Sequence, residues 1–145
     1  MLIIGCGNAQ RGDDAAGIMA AIRLRLLGLS AQICSGEPSE LIERWREADD
    51  VIVIDAVITG APAGSLHVWD GQRPLKLGKS AGFTHGLGVA EAIELSRTLG
   101  SLPARIRVFG IEGQSFALGS KISQSVAKGI ELVIQEIARE LNGRR

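Results

Sequence analysis

Apolar positions along this chain follow two alternating rhythms. One consists of short unbroken runs. Leu2-Ile3-Ile4 predicts a strand over residues 2–6, and a weaker run predicts another over 31–35. Residues 50–56, Asp-Val-Ile-Val-Ile-Asp-Ala, are continuously apolar between two acids, as in a central strand covered on both faces. Residues 105–111, Arg-Ile-Arg-Val-Phe-Gly-Ile, read as a further strand. The other rhythm is helical. Residues 13–27 place Ile18, Ile22, Leu26 and Leu29 on one stripe, with Gly28 near the end. Residues 38–47 form a helix with Pro38 in its first turn and Leu41, Ile42 and Trp45 buried. A third helix over 86–99 follows Thr84 as its cap and ends at Gly100. The last, over 124–142, carries Val126, Ile130, Val133, Ile137 and Leu141 on one stripe between Ser123 and Gly143.

One run breaks the alternation. Residues 65–70, Ser-Leu-His-Val-Trp-Asp, alternate polar and apolar like an outer strand. Only eight residues, among them Gly60, Pro62 and Gly64, separate it from the strand before, too few for a crossover helix. This fourth strand is therefore expected to run antiparallel to the rest. Residues 71–83 follow as a glycine-dotted loop carrying Arg73, Lys76 and Lys79. The chain shows no repeat, low-complexity stretch or linker, so residues 1–145 are expected to fold as one domain. The fold class is α/β: a three-layer α/β/α sandwich around a five-stranded mixed sheet.

Composition narrows the function classes. A chain of 145 residues is long enough to bury roughly 70% of its unfolded surface. With 46% hydrophobic but only 3% aromatic residues, the core must be aliphatic. Sixteen basic and sixteen acidic residues cancel without any basic stripe, which argues against a nucleic-acid partner. Cys6 and Cys34 read as buried thiols, since neither belongs to a CxxC or CxxH pair. Met1 leads straight into the first strand, leaving no room for a signal peptide, and no apolar run approaches the ~20 residues of a membrane span. The expectation is a cytoplasmic protein without a membrane association.

Candidate chemistry gathers where the strands end, because ligands of open α/β sheets bind outside the carboxyl ends of the strands. The first strand runs into Gly5-Cys6-Gly7-Asn8-Ala9-Gln10-Arg11-Gly12-Asp13-Asp14, a glycine-rich loop that meets a helix start already carrying two carboxylates. A diphosphate at that edge would be repelled, and the glycine and Walker spacings of nucleotide loops are missing, with Gln10 in the place of the third glycine. The loop suits a cation or a polar substrate better. Asp14 after the first strand, Asp55 ending the third and His85 opening the third helix are the candidate catalytic and metal-ligating residues. Two carboxylates and an imidazole suit a borderline divalent ion such as zinc or nickel. Each has a structural alternative: a helix-start acid for Asp14, a cap on the Thr59–Gly60 turn for Asp55, a helix cap for His85. Asp13 reads as a solvated first-turn acid, His67 as structural or solvated, and Glu91 as support for His85.

Five blocks in order along nearly the whole chain resemble one family. They are Ile-Gly-Cys-Gly-Asn-Ala-Gln-Arg-Gly-Asp-Asp-Ala-Ala-Gly (4–17), Val-Ile-Val-Ile-Asp-Ala-Val (51–57), Thr-His-Gly-Leu-Gly-Val-Ala-Glu-Ala (84–92), Val-Phe-Gly-Ile-Glu-Gly (108–113) and Leu-Gly-Ser-Lys-Ile-Ser-Gln-Ser-Val (118–126). The resemblance is to the nickel–iron hydrogenase maturation proteases. It implies a phosphorylase/hydrolase-like sandwich of strand order 2-1-3-5-4 with the fourth strand antiparallel. It implies an endopeptidase, working as a monomer, that removes a C-terminal extension from the hydrogenase large-subunit precursor after nickel insertion. The family's metal-contacting positions fall on Asp14, Asp55 and His85, and the nickel comes with the precursor rather than as a resident cofactor. Position 14 is Asp where the family often has Glu, and Gly113 stands where many members have Pro after the Glu. Two other function classes are a non-catalytic nickel- or precursor-binding chaperone on the same fold, and a small nucleotide-binding domain using the glycine loop.

Overall fold

The computed structural model describes residues 1–75, 82–83 and 88–143. In chain order the strands are β1 (Leu2–Cys6), β2 (Ala31–Cys34), β3 (Asp50–Ile58), β4 (Leu66–Asp70), β5 (Gly82–Phe83) and β6 (Arg105–Glu112). The helices are α1 (Ala16–Leu26, preceded by a 3-10 turn over Gly12–Ala15), α2 (Pro38–Trp45), α3 (Gly88–Leu99) and α4 (Gln124–Asn142). The main sheet has the order β2-β1-β3-β6-β4. All neighbours pair in parallel except β4, which runs antiparallel to β6. That is the expected order, with β6 as the fifth strand. The short β3–β4 connection forces the reversal as its length implied.

One strand was not foreseen. Gly82 and Phe83, placed in the loop by sequence, pair antiparallel with Ile58 and Val57 as β5. A two-residue strand has no periodicity to read. Its pairing helps carry β3 on to Ile58, so Asp55 lies inside the strand rather than at its end.

Side-chain alternation along β3 feeds two cores. Ile52, Ile54 and Ala56 pack with α1 and α4, whereas Val51, Val53 and Val57 pack with α2 and α3. Each fully buried aliphatic side chain contributes about 1.5–3 kcal/mol. Helix α4 buries Val126, Ile130, Val133 and Ile137 as its pattern predicts. Helix α2 likewise buries Leu41, Ile42 and Trp45, and the Trp45 indole N–H donates to Ser96 Oγ at 2.9 Å.

The buried face of α1 differs from the expected stripe. Leu26 is 81% exposed, and the inward face is Ala16, Gly17, Ile18, Ala20, Ala21 and Leu24. Close approach explains it. A Cβ on Gly17 would stand 2.2 Å from the Ile54 carbonyl and 2.6 Å from that of Cys6, and one on Gly5 would meet the Gly17 carbonyl at 2.2 Å. Where the helix crosses β1 and β3 at Gly17 and Ala21 only small residues fit beneath it, so its large buried residues, Ile18 and Leu24, flank that contact and Leu26 is turned outward.

Candidate active site

Strand order places a switch point between β1 and β3: β1 continues through α1 to β2 on one side, while β3 continues toward β4 on the other. In such sheets the crevice outside the strand ends at this point receives ligands. Pairing between β1 and β3 stops at Gly5 and Ile54, so Asp55 is the next β3 residue beyond its β1 partner, where the glycine loop turns away. Asp55 is fully buried, and its Oδ1 accepts the backbone N–H of Ala56 at 2.8 Å. Its charge is felt at Cys6 on the neighbouring strand. The Cys6 thiol is pushed well above its ordinary value, first by its hydrogen bond with Cys34, then by burial, then by Asp55.

Asp14 sits in the 3-10 turn that opens α1 and is 4% exposed. Its backbone is fixed by the loop itself: Asp14 N–H donates to Arg11 O at 3.1 Å, and Asp14 O accepts from Asn8 at 3.2 Å. Gly7, at φ +144°, is what lets the loop fold back so far, because a Cβ there would stand 1.9 Å from the Asp14 carbonyl oxygen. Three residues on, Gly17 touches the Ile54 carbonyl, so the segment bearing Asp14 is anchored beside the residue that precedes Asp55. His85, with the cap expected at Thr84, lies outside the described residues. Lys76 and Lys79 of the basic loop do as well, and Arg73 is exposed. Glu91 is exposed in the first turn of α3.

Asp13 is not solvated. It is wholly buried, and its carboxylate accepts four hydrogen bonds: Gln114 N–H at 2.8 Å, Ser115 N–H at 2.9 Å, Ser123 N–H at 2.7 Å and the Ser123 hydroxyl at 3.1 Å. Asp13 N–H donates in return to Ser115 O at 2.8 Å. Ser123, the residue that opens α4, donates its hydroxyl to Asp13 rather than capping the helix with it. The glycine loop and the segment between β6 and α4 are thus bolted together, with Gly119 N–H also donating to Gln10 O at 2.8 Å.

A fourth buried acid, Glu112 at the end of β6, was not among the residues the sequence singled out as candidates. Its Oε2 accepts Thr59 N–H at 2.8 Å, and its Oε1 accepts the Thr59 hydroxyl and lies 3.1 Å from His67 Nε2. The donors of the Thr59 turn that Asp55 was suggested to cap are therefore taken by Glu112. His67 stacks on Trp69 with ring centroids 5.4 Å apart, consistent with a structural role. The available signal was an acid closing an otherwise apolar run. At the next position, Gly113 N–H donates to Val57 O at 3.0 Å, and a Cβ would stand 2.3 Å from the Phe116 ring. A proline there would lose that bond and strike the ring, so the departure from the family pattern is matched by the local packing.

Cys6 and Cys34 are buried as expected, with their sulfurs 3.5 Å apart. Among the described residues no helix is long and apolar enough to cross a membrane, and no group of three or more His, Cys, Asp or Glu residues stands ready to hold a metal.

Comparison with known proteins fits this architecture. The hydrogenase expression/formation protein HupD of Thiocapsa roseopersicina is 27% identical over 150 residues, covering 96% of this chain and 68% of that protein. A putative hydrogenase maturation protease of Methanocaldococcus jannaschii is 23% identical over 152 residues, covering 96% and 97%. The NiFe hydrogenase maturation protease HybD from Thermococcus kodakarensis superposes with a TM-score of 0.80 at 24% identity, covering 97% of each chain. HycI from Thermococcus kodakarensis KOD1, a maturation protease of the same kind, gives 0.74 at 27% identity, covering 97% of this chain and 91% of its own. The family model described as HycI, hydrogenase maturation protease, matches residues 36–140, a span that includes Asp55 and His85. The chain belongs to the hydrogenase maturation protease family.

Proposed function

We propose that this protein is the endopeptidase that removes the C-terminal extension of a nickel–iron hydrogenase large-subunit precursor, and that nickel already seated in the precursor is its recognition signal. The observation that supports this most is the fully buried Asp55 at the β1–β3 switch point of a maturation-protease fold. A carboxylate kept buried at the edge where such sheets receive ligands is a functional-site candidate. Asp14 is held at the same edge, and His85 enters the chain two residues after Phe83. Two carboxylates and an imidazole fit the incomplete coordination of a borderline divalent ion presented by the substrate.

The reaction is hydrolysis of one peptide bond. A carboxylate of Asp14 or Asp55 takes a proton from the attacking water, the water oxygen bonds to the scissile carbonyl carbon, and the C–N bond breaks as the leaving amine is protonated. The Asp13 clamp and the tightly packed α1 hold the Asp14 loop rigid. The partner is the precursor protein, and the protein acts as a cytoplasmic monomer.

Mass measurement of the precursor's C-terminus tests this directly, with purified protein and nickel-loaded or nickel-free precursor. Cleavage is expected for the loaded form only, abolished in Asp55→Asn and strongly weakened in Asp14→Asn and His85→Ala. Cleavage that survives all three changes overturns the site. Complex formation with an intact C-terminus assigns the protein a chaperone role instead.

A further inference from the structure

We propose that Cys6 and Cys34 are a disulfide-forming pair that reversibly disables the candidate active site. They occupy opposed positions on the parallel neighbours β1 and β2, with sulfurs 3.5 Å apart and exposures of 0% and 5%. The proposed hydrolysis uses neither. Strands spaced about 4.8 Å apart fall within the range of Cα separations that disulfides tolerate, and the bond brings the sulfurs from 3.5 Å to about 2.05 Å. Closing it therefore draws the sulfurs together by about 1.5 Å, a movement that the two side chains and their strand ends must share.

The pair is asymmetric in access: Cys34 keeps 5% exposure, whereas Cys6 is wholly enclosed. Cys34 is accordingly the sulfur that meets an oxidant, and Cys6 the one that resolves it. With hydrogen peroxide as oxidant, the Cys34 thiolate attacks one peroxide oxygen. The O–O bond breaks, and the departing hydroxide is protonated to water. The Cys6 sulfur then attacks the resulting sulfenic sulfur. The S–S bond forms, the S–O bond breaks, and a second water leaves with the Cys6 proton. Two thiols lose two hydrogens and two electrons, and one peroxide becomes two waters.

Contacts on both sides transmit the movement. Cys34 O accepts the N–H of Gly7 at 3.3 Å, and Gly7 lies against the Asp14 carbonyl. Beyond Cys34, the Gly36 carbonyl abuts the start of α3, where a Cβ on Gly88 would come within 2.4 Å of it. A shift at the sulfurs therefore reaches the Asp14 backbone and the helix that follows the His85 segment. Misplacing a reacting group by 1 Å can cost on the order of a hundredfold in rate.

The loss of activity, though not the bond itself, rests on the proposed peptidase reading. The full chain is treated with hydrogen peroxide, its intact mass measured, and its peptides mapped without reduction. The expected product has lost two hydrogens, contains a Cys6–Cys34 cross-linked peptide and reverts with dithiothreitol. Precursor cleavage is expected to fall by about a hundredfold and to return on reduction, while Cys34→Ala keeps its basal cleavage and resists peroxide. Thiols that stay free, oxidise separately to sulfinic acid or link two chains overturn the pair. An intramolecular bond that leaves cleavage unchanged, or a Cys34→Ala protein as peroxide-sensitive as its parent, overturns the switch. Absence of cleavage in untreated protein counts against the peptidase reading, and the mass result still decides the disulfide.

Discussion

Asp13 and Glu112 are both buried acids at the carboxyl edge of the sheet, and both reach across to a loop distant in sequence. They differ in what would be stranded without them. Asp13 receives three backbone N–H groups, from Gln114, Ser115 and Ser123, and one hydroxyl. Glu112 receives one backbone N–H and one hydroxyl, both from Thr59, with the half-buried His67 as its third neighbour. A hydroxyl can rotate and an imidazole at the surface can turn to water, whereas a backbone N–H in a packed loop cannot. The lesson is that a buried carboxylate's structural weight follows from the fixity of its donors more than from their number.

The steepest test of that contrast is Asp13→Ala. Removing the carboxylate orphans three main-chain donors, each costing about 1–3 kcal/mol where water cannot replace the acceptor. Some relaxation is expected, so the net loss should be about 3–5 kcal/mol, a large share of the 5–15 kcal/mol that holds a typical domain together. Urea unfolding reads it as a lower midpoint at unchanged slope. Cleavage of the precursor should fall too, because Asp14 is the next residue. A loss under about 1 kcal/mol means the loop is held by something other than Asp13.

How far the sequence foresaw this is uneven, and the reasons are physical. Strands β1, β3 and β6 and helices α2 and α4 are legible because their runs of apolar residues coincide with their burial. Strand β4 is legible from its short connection rather than its pattern, since its Val68 is 52% exposed. Helix α1 is not, because its contact face is chosen by smallness: Gly17 and Ala21 touch backbone, whereas Leu26 points outward. The adjacent acids Asp13 and Asp14 carry identical local signals. Only Gln114, Ser115 and Ser123, about a hundred residues away, separate clamp from candidate ligand. Asp55 was legible because an acid in a doubly covered strand is expensive wherever the strand stops. That β3 runs past it depends partly on β5, which leaves no pattern in the sequence.

Glu112→Gln gives the middle value. The carboxamide keeps one oxygen for a Thr59 donor but turns an NH2 toward the other, so one charge-assisted bond is exchanged for a clash of donors. A loss of about 1–2 kcal/mol is expected. The Thr59 turn connects β3 to β4, on the far side of β3 from the glycine loop, so cleavage should change less than in Asp13→Ala. Equal or greater destabilisation than Asp13→Ala would invert the ranking by donor fixity.

His67→Phe should be the mildest, and it isolates the imidazole's part of the Glu112 set. Phenylalanine preserves a flat ring to stack on Trp69 and removes only the nitrogen facing Glu112 Oε1. Both bonds from Thr59 to the carboxylate remain, and the His67 side chain is 24% exposed, so water can approach the oxygen it vacates. The net change should stay below about 1 kcal/mol in the same urea measurement. A Glu112→Gln, His67→Phe double variant completes the cycle: the two losses should add to within about 0.5 kcal/mol if His67 is a peripheral neighbour. Strong coupling would instead make the imidazole a fixed donor equal to a main-chain N–H, and Glu112 a clamp of the same kind as Asp13.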